Sequence, residues 1–366
     1  MAMTIIGSPA TLAAAHNDMM YVVDSTNKAQ PNFKYILDVY IGSTKVGTLK
    51  NRPNPAYQNY GVFNINKILQ AYLTSRYFIP AGLTASVITG HKVSYVVKLS
   101  ESYGSTTNID VVTDSTRVAH NAAAAFLDHV AGVTYTDKFL TNRPRNVAIP
   151  IDLYENFYLT VMPATATSIT LTSPSAPTAT ITLSGDSIVN MKPYLYGITS
   201  DFTATLKYGG TTLDTLNFTY GVCTPYDNIP LHFLNRRGGY ETIYFRLVSK
   251  KSIKIDKKML QEQGYVVGVG GLSYKDANNV LYDTQRPYAA TYKEQMNLTC
   301  EAMGDEENEW VEELLTSTSV LTEVGNMYVP VMVKEDSYEA KKRFTDGVTN
   351  VAISIEFGQM NNSQYR

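Results

Sequence analysis

The chain has 366 residues, of which 44% are hydrophobic and 17% are charged, and its formal net charge at pH 7 is −2. A chain of this length can bury a large core and is expected to form two or three domains. The near-neutral charge disfavours a protein that coats nucleic acid over its whole surface. There is no run of about 18 apolar residues, so no membrane span is predicted.

The first predicted domain, residues 1–149, combines strands with short helices. Met1–Asp18 is small and polar and predicts an irregular arm, with no basic or apolar segment typical of a secretory signal. In Asn64–Tyr72 the apolar residues recur at helical spacing, and Asn64 is the expected N-cap. The strands are predicted by period-two alternation, at Met20–Ser25, Phe33–Tyr40, Val87–Leu99 and Asn108–Val112.

Ala119–Val130 is a run of helix formers and predicts a second helix. His120 and His129 fall within it, nine residues apart. At 3.6 residues per turn this separation is about 900°, which places the two imidazoles on opposite faces. A single helix therefore could not offer both to one metal ion.

The second predicted domain, residues 150–260, is a β-sandwich of about immunoglobulin size. Its first part is rich in Thr, Ser, Ala and Pro, and a mucin-like linker is the alternative interpretation. The alternation of Ile169 with Leu171 favours short strands instead, around a turn at Ser173–Pro174. A second hairpin turn is predicted at Gly209–Gly210.

Asn228–Lys258 gives the clearest hairpin pattern in the chain. Apolar residues alternate in Ile229–Phe233, and the pattern breaks at Asn235–Gly239, where two glycines can supply the positive φ angles of a tight turn. Tyr240–Val248 then resumes as a strand rich in aromatic and β-branched residues. The sequence predicts a hairpin with a basic, glycine-containing turn.

The third predicted domain, residues 261–366, is β-rich with one amphipathic helix. Gly264–Ser273 contains a glycine cluster but lacks the lysine of a P-loop, so a glycine-rich loop between strands is expected. Glu306–Thr316 carries an apolar stripe that includes Trp310, with Asp305 as the expected N-cap. Strands are predicted at Tyr328–Val333 and Val348–Phe357, followed by a polar tail at residues 358–366.

The sequence predicts neither catalysis nor a bound cofactor or metal. No GxSxG motif occurs, and the five histidines lack HExxH or other ligand-like spacing. Cys223 and Cys300 lie far apart and form no CxxC pair, which argues against a metal site or a disulfide framework and for folding in a reducing compartment. A single disulfide between them stays open.

Two charge features suggest an interface. A basic region follows the hairpin, and the helix at Glu306–Thr316 is strongly acidic; complementary patches on neighbouring subunits can fix the register of an assembly. Two solvated surfaces are the plain alternative, and a basic hairpin that faces DNA in a channel is a third. The predicted interface residues are Arg236, Arg237, Lys250, Lys251, Lys254, Trp310, Glu312 and Glu313.

Three stretches carry a resemblance to a known class of proteins. The run LHFLNRRGGYETIYF, the run GVFNINKILQAYLTS (Gly61–Ser75), and EWVEELLTSTSVL (Glu309–Leu321) followed by Tyr328–Gly358 lie in different thirds of the chain. Together they resemble elements of structural proteins from tailed phages that infect Bacteroidetes, the crAss-like phages included.

The composition predicts a mainly β, multi-domain, β-sandwich-like architecture with a few short helices. The resemblance implies a non-enzymatic virion protein that assembles into a ring of the neck or tail, having formed in the host cytoplasm. Its expected partners are copies of itself and other neck or tail proteins, with non-specific contact to packaged DNA as a further possibility and no membrane. The alternative is a receptor- or glycan-binding module of a fibre or adhesin.

Overall fold

The structure is a computed structural model that describes residues 3–73, 85–133, 135–221, 226–303, 307–325, 327–334, 349–358 and 361–362. Within these residues the chain is mainly β, with several sheets and short helices, which confirms the predicted fold class. No helix among them is long and apolar enough to cross a membrane. Cys223, Asp305 and Glu306, which the sequence predictions involved, lie outside the described residues.

The elements are numbered in chain order. The α-helices are α1 (Asn66–Gln70), α2 (Phe126–Val130) and α3 (Asn308–Thr316), and single 3₁₀ turns occupy Pro55–Tyr57 and Pro193–Tyr196. The strands are β1 (Met3–Gly7), β2 (Leu12–Ala14), β3 (Met20–Ser25), β4 (Lys34–Ile41), β5 (Thr44–Asn51), β6 (Gly61–Asn64), β7 (Ser86–Val87), β8 (Lys92–Tyr103), β9 (Thr106–Thr113), β10 (Arg117–His120), β11 (Ile149–Ile151), β12 (Tyr158–Val161), β13 (Ser168–Ser173), β14 (Ala176–Thr182), β15 (Ser187–Asn190), β16 (Phe202–Tyr208), β17 (Thr211–Tyr220), β18 (Ile229–Leu234), β19 (Tyr240–Phe245), β20 (Lys250–Gln261), β21 (Val266–Gly268), β22 (Gly271–Ser273), β23 (Gln285–Met303), β24 (Val320–Val324), β25 (Met327–Val333), β26 (Thr349–Phe357) and β27 (Asn361–Asn362).

The chain divides into two compact units. Unit 1 comprises Met1–Cys223, His232–Thr242 and Glu309–Thr318, and unit 2 comprises Thr224–Leu231, Ile243–Asn308 and Ser319–Arg366. The predicted boundaries at 149/150 and 260/261 both fall inside these units, the second of them within strand β20. The division into three domains stays a prediction.

The N-terminal part of unit 1 consists of two sheets that share one core. One sheet has the order β1-β3-β6, and the other has the order β2-β10-β8-β4-β5, with β9 also paired to β8. Antiparallel pairing places Leu37 opposite Leu99 and Val39 opposite Val97, and all four side chains are fully buried. The alternation that predicted β3 and β4 therefore marks their core-facing side.

A second pair of sheets completes unit 1. The orders are β11-β17-β16-β13-β14 and β12-β15-β7. Phe218 stacks on Phe202 with ring centroids 4.6 Å apart and meets Phe157 edge-on at 5.6 Å, so aromatic packing fills this core. The predicted turns at Ser173–Pro174 and Gly209–Gly210 are confirmed, since they join β13 to β14 and β16 to β17.

Two sequence predictions are wrong in this part of the chain. Met1–Asp18 is not irregular throughout, because β1 pairs with β3 and buries Met3, while β2 pairs in parallel with β10. The helix predicted over Ala119–Val130 is reduced to α2, its last five residues. Burial of Ala119 and Ala122 between packed strands outweighs the weak helix preference of an alanine run.

The hairpin β18–β19 is confirmed, and its turn, Asn235–Gly239, packs inside unit 1. Gly238 has φ +82°, and a Cβ atom there would lie 2.3 Å from the carbonyl oxygen of Asn121. A Cβ atom on Gly239 would lie 2.7 Å from Leu140 Cβ and 2.9 Å from Thr160 Cβ. Close packing therefore requires both glycines, whereas the turn requires a positive φ only at Gly238, so the prediction of a positive φ at Gly239 is wrong.

Unit 2 is built around one large sheet with the order β19-β18-β24-β25-β26-β23-β20, and β27 pairs with β23. Strands β18 and β19 contribute residues to both units. The predicted strands near the C-terminus are confirmed as β25 and β26, and the predicted helix as α3. Of the predicted polar tail, Asn361–Asn362 forms β27, and most of the rest lies outside the described residues.

Replacing Gly239 with alanine tests the packing of this turn. The new methyl group would overlap Leu140 and Thr160, and overpacking of this kind costs about 1–3 kcal/mol. Denaturant unfolding should therefore show a lower unfolding free energy for G239A. G210A is the matched control, because a Cβ atom on Gly210 meets nothing within 4 Å. Equal stability of the two variants would contradict the packing described.

Candidate functional site

Strand β20 and its partner stretch of β23 form a long two-stranded arm in unit 2, defined here as residues 250–297. Pairing runs from Lys250 opposite Asn297 to Gln261 opposite Gln285. Strand β26 pairs with β23 only from Gln295 toward the C-terminus, so beyond that point the arm has two strands, with β27 added at Thr291 and Tyr292. Twelve residues of β20 correspond to a length of about 40 Å.

One face of the arm carries large apolar side chains between charged ones, which are Lys251, Lys257 and Glu294. Directly opposed residues of an antiparallel pair share a face, so Ile253 and Ile255 lie on the same side as Tyr292 and Met296. Every residue of β20 is exposed, and Ile253 and Ile255 keep 53% and 52% of their area in solvent. These four residues are called the apolar face of the arm.

The opposite face of the arm is basic. Lys250, Lys254 and Lys258 project from it, and each is exposed. Lys293, opposite Lys254, instead bonds to Glu356 Oε1 at 2.8 Å. The two isoleucines thus lie on the side opposite Lys250, Lys254 and Lys258, and lysines occur on both sides of β20. Lys250, Lys254 and Lys258 are called the basic face.

Glu356 stabilises the base of the arm through hydrogen bonds and ion pairs. Its carboxylate accepts hydrogen bonds from Lys293 and from Gln295 Nε2, and Lys334 Nζ lies 3.1 Å away. The hydrogen bonds from Lys293 and Gln295 hold the pKa of Glu356 at about 2. The arm therefore leaves unit 2 from an anchored base.

The outer edge of β20 faces no other strand among the described residues. An unpaired strand edge of this length would promote unwanted pairing with strands of other molecules. Proteins limit such pairing with edge lysines and β-bulges. Strand β20 carries five lysines, and its register with β23 shifts between Lys258 and Met259. The edge is thus protected, while the apolar face is left uncovered.

The tip of the arm lies between the two long strands, at residues 262–284. Strands β21 and β22 form a short hairpin inside the stretch that predicted a glycine-rich loop. Tyr265 and Tyr274 meet edge-on with centroids 6.3 Å apart, and both are exposed. Val267 is 72% exposed. The tip therefore presents tyrosine hydroxyls and apolar side chains to solvent.

The predicted interface residues fall in three places. Lys250, Lys251 and Lys254 lie on the arm. Arg236 is exposed at the hairpin turn, whereas Arg237 is half-buried and donates from Nη1 to the Thr141 carbonyl oxygen at 2.8 Å. The remaining three residues are on helix α3: Trp310 and Glu313 are buried and Glu312 is half-buried.

The solvated or partner-facing surface predicted for the acidic helix is wrong at two positions, because Glu307 and Glu313 are buried. The apolar stripe of a short helix leaves few exposed positions, and Glu313 lies on the packed side. A role for the predicted residues in an interface stays a prediction, but on α3 Glu312 is better placed for it than Glu313 or Trp310.

Glu313 belongs to a buried polar cluster in unit 1. Its Oε1 accepts from Asn142 Nδ2, and the Arg143 guanidinium lies 4.4 Å from the centre of the Trp310 ring. Glu241, fully buried on β19, accepts on Oε1 from Asn235 Nδ2 at 2.8 Å. Burial raises the pKa of Glu241, and burial together with the Glu241 charge raises that of Glu313 to about 8.

Raised carboxyl pKa also occurs in catalytic acid–base pairs, but these two carboxyl groups lack the open access of a catalytic site. The pocket that Glu313 lines has a volume of about 110 Å³, well below the several hundred Å³ of typical ligand sites. Buried polar networks of this kind fix one arrangement of packed elements. The cluster fits a structural role, in which α3 is held against the β18–β19 hairpin turn within unit 1.

Two of the histidines lie beside single polar side chains. His91 Nε2 lies 3.2 Å from Asp186, and His16 Nε2 is 2.7 Å from Asn121 Oδ1. Within the described residues, no group of three or more His, Cys, Asp or Glu side chains is placed to hold a metal ion. The absence of catalysis stays a prediction.

The arm was not predicted from the sequence. The long strand Gln285–Met303 was not predicted, because its mixture of Tyr, Ala, Thr and charged residues gives no strong alternation, even though Leu298 and Cys300 near its end are buried. The alternation of Ile253 and Ile255 with Lys254 and Asp256 was an available signal, but it was interpreted only as a basic region.

The pH dependence of stability tests the buried state of Glu313. Because its pKa in the folded protein is raised from 4.5 to about 8, its contribution to the unfolding free energy is complete below about pH 4.5 and is lost as the pH rises to about 8. Glu313→Gln should remove this slope, so the stability of E313Q relative to wild type should rise between pH 5 and pH 8 in denaturant titrations. The same pH slope in both proteins would contradict burial of an uncharged Glu313.

No protein-family model matches the chain, and no curated protein matches it. A solved structure from a 1.5-MDa bacterial ice-binding adhesin aligns at 8% identity over 81% of this chain and 91% of its own, with a TM-score of 0.17. One from a Ca²⁺-stabilised, ice-binding adhesin of an Antarctic bacterium aligns at 10% identity over 99% and 73%, with a TM-score of 0.16. TM-scores this low establish no common fold, so these similarities support no conclusion about the chain.

Proposed function

We propose that the chain is a non-enzymatic structural protein that assembles through its arm, as a component of a ring in the neck or tail of a tailed phage. The observation that carries the assembly role is the arm's exposed apolar face. Soluble monomers seldom leave a contiguous apolar surface uncovered without a binding function. A partner that covers Ile253 and Ile255 would remove that surface from water.

The arm's geometry supports binding through its face. The lysines and the bulge of β20 disfavour pairing along the strand edge. Ile253 and Ile255 stay about half exposed on the face, where Lys251, Lys257 and Glu294 flank them. Burying a branched apolar side chain that is about half exposed contributes on the order of 1 kcal/mol. Several such contacts repeated around a rotation axis are enough to hold a closed ring of subunits.

The assignment to a phage rests on the three sequence motifs. The structure gives a physical reason for one of them, because Gly238 and Gly239 of NRRGGYE lie where a side chain would collide with Asn121, Leu140 or Thr160. Copies of the chain and other neck or tail proteins are the proposed partners, and the virion is the proposed location. The basic face could contact packaged DNA in a channel, since clustered lysines neutralise phosphates.

Paired substitutions on the two faces test the assembly role. Ile253→Ser with Ile255→Ser removes the apolar face, and self-association should weaken at least about tenfold, because the apolar area buried on association is lost. Lys254→Ser with Lys258→Ser on the basic face is the matched control and should weaken association less. Sedimentation and light scattering over a range of protein concentrations measure both effects.

The four substituted side chains are exposed, so the unfolding free energies of both variants should stay close to wild type. Association of the isoleucine variant at wild-type strength would contradict the proposal. A monomeric wild type at all concentrations that also binds glycans would favour the receptor-binding alternative.

A further inference from the structure

The outer face of the sheet that contains β4, β5 and β8 carries a cluster of lysines. Lys34, Ile36 and Asp38 lie on this face, because side chains alternate along β4 and the residues between them belong to the core of unit 1. Lys50 of β5 lies opposite Ile36. Lys98 of β8 lies opposite Asp38. Three adjacent strands of unit 1 thus contribute lysines to one surface.

Part of this surface is an open hollow with a volume of about 810 Å³. Lys34, Lys45 and Lys50 line it, and Asp38 is the one acidic residue among the described residues that do so. The hollow with its three lysines is called the basic hollow. It lies in unit 1, whereas the basic face of the arm belongs to unit 2.

Two of the three lysines of the basic hollow have uncompensated charges. Lys45 Nζ lies 3.5 Å from Asp38 Oδ2, and Thr48 Oγ1 donates to Asp38 Oδ1, so the aspartate already has its partners. Lys34 and Lys50 have no acidic partner among the described residues. An anion that enters the hollow therefore meets two lysines whose charges are free to pair with it.

The lining of the basic hollow suits a phosphate backbone better than a protein surface. Protein interfaces have an apolar and aromatic core. Ile36 is the one large apolar residue among the described residues that line the hollow, and it is only 4% exposed. The lysines are accompanied by amide and hydroxyl groups of Asn32, Ser102 and Ser105. Such groups donate to phosphate oxygens, and protein–DNA interfaces are more polar and more positively charged than protein–protein interfaces.

We infer that the basic hollow binds the phosphate backbone of double-stranded DNA without reading its sequence. This inference rests on the proposed function, in which packaged DNA lies in a channel, and it names a DNA-binding surface other than the basic face of the arm. Lys34 and Lys50 are diagonal neighbours on paired strands, with β-carbons roughly 7–8 Å apart. A duplex carries one charge per about 1.7 Å of its axis, so both lysines can contact phosphates at once.

The side chains that line the hollow favour a duplex over a single strand. Proteins that bind single strands stack the bases on aromatic side chains, and no aromatic residue is among the described residues that line the hollow. Arginine, which most often reads guanine in the major groove, is also absent from that part of the lining. Contact through phosphates alone gives binding that depends on salt and not on sequence.

Titration of the full chain into a short, fluorescently labelled duplex of mixed sequence tests the inference by anisotropy. Lys34→Gln with Lys50→Gln removes both charges and keeps most of each side chain, so the cover over Ile36 is retained. This variant should bind at least about tenfold more weakly at low salt. The slope of log affinity against log salt concentration should fall in magnitude by about 2, because two phosphate contacts are lost.

Two further pairs of substitutions are the controls. Lys67→Gln with Lys138→Gln removes the same charge from exposed lysines of unit 1 that do not line the hollow, and affinity should fall less than about twofold. Lys254→Gln with Lys258→Gln removes it from the basic face of the arm. Equal weakening by the hollow pair and the unit 1 control pair would contradict the inference. Weakening by the arm pair alone would place DNA on the arm and overturn it.

Protection of lysines from acetylation gives a second test in the unmodified protein. With saturating duplex, mass spectrometry should show slower acetylation of Lys34 and Lys50, while Lys67 and Lys138 react as they do without DNA. Unchanged acetylation of Lys34 and Lys50 in the DNA complex would show that the duplex lies elsewhere.

The outcomes separate the inference from the proposed function, because DNA binding and self-association are measured separately. If substitution of Ile253 and Ile255 weakens association while the hollow pair binds DNA as wild type does, the inference fails and the assembly role stands. If the hollow pair loses DNA binding while the isoleucine variant associates normally, the inference stands and the assembly role fails. Binding of heparin through Lys34 and Lys50 without binding of DNA would overturn the inference and favour the glycan-binding alternative.

Discussion

The arrangement of unit 1 around the β18–β19 hairpin depends on the buried side chain of Asn235. Its Nδ2 donates to the Leu140 carbonyl oxygen and to Glu241 Oε1, and its Oδ1 accepts from the Gly239 amide at 2.9 Å. One residue thus joins the turn to a neighbouring segment and to the carboxyl cluster. Buried polar groups are costly unless they are satisfied, so this network permits one placement of the turn. The glycines that follow allow the backbone to approach Leu140 and Thr160 closely enough to complete it.

The arm differs from unit 1 in how its apolar side chains are covered. In unit 1 the apolar side chains of the strands are covered by a facing sheet, and aromatic packing fills the space between them. On β20 the same alternation has no facing sheet, and the strand is exposed along its whole length. The arm is held by its ladder with β23 and by the ion pairs at Glu356, which act at its base. An element that gains little from its own fold is expected to gain from a partner. The proposed assembly role follows from the apolar surface that β20 leaves exposed.

Much of the fold could be predicted from the sequence, because period-two alternation over a buried face is a strong signal. It located β3 and β4 within a residue or two, and turn residues located the hairpins at Ser173–Pro174 and Gly209–Gly210. Predictions failed where long-range packing decides the outcome. The alanine run at Ala119–Val130 is divided between a strand and a short helix, and Glu313 is buried although its neighbours in sequence are acidic. The arm was missed because strand β20 has no buried face, and a strand without one has no strong pattern.

Hydrogen–deuterium exchange of the full chain at several protein concentrations tests the central claim most directly, because it reports on the arm in the unmodified protein. If a neighbouring copy covers the arm, the amides of Lys250–Gln261 should exchange more slowly as the protein associates. The exchange rates of the amides in the exposed turn of the β16–β17 hairpin, Gly209–Gly210, should not change. Arm amides that exchange at the same rate while the solution mass rises would show association through another surface and would contradict the account.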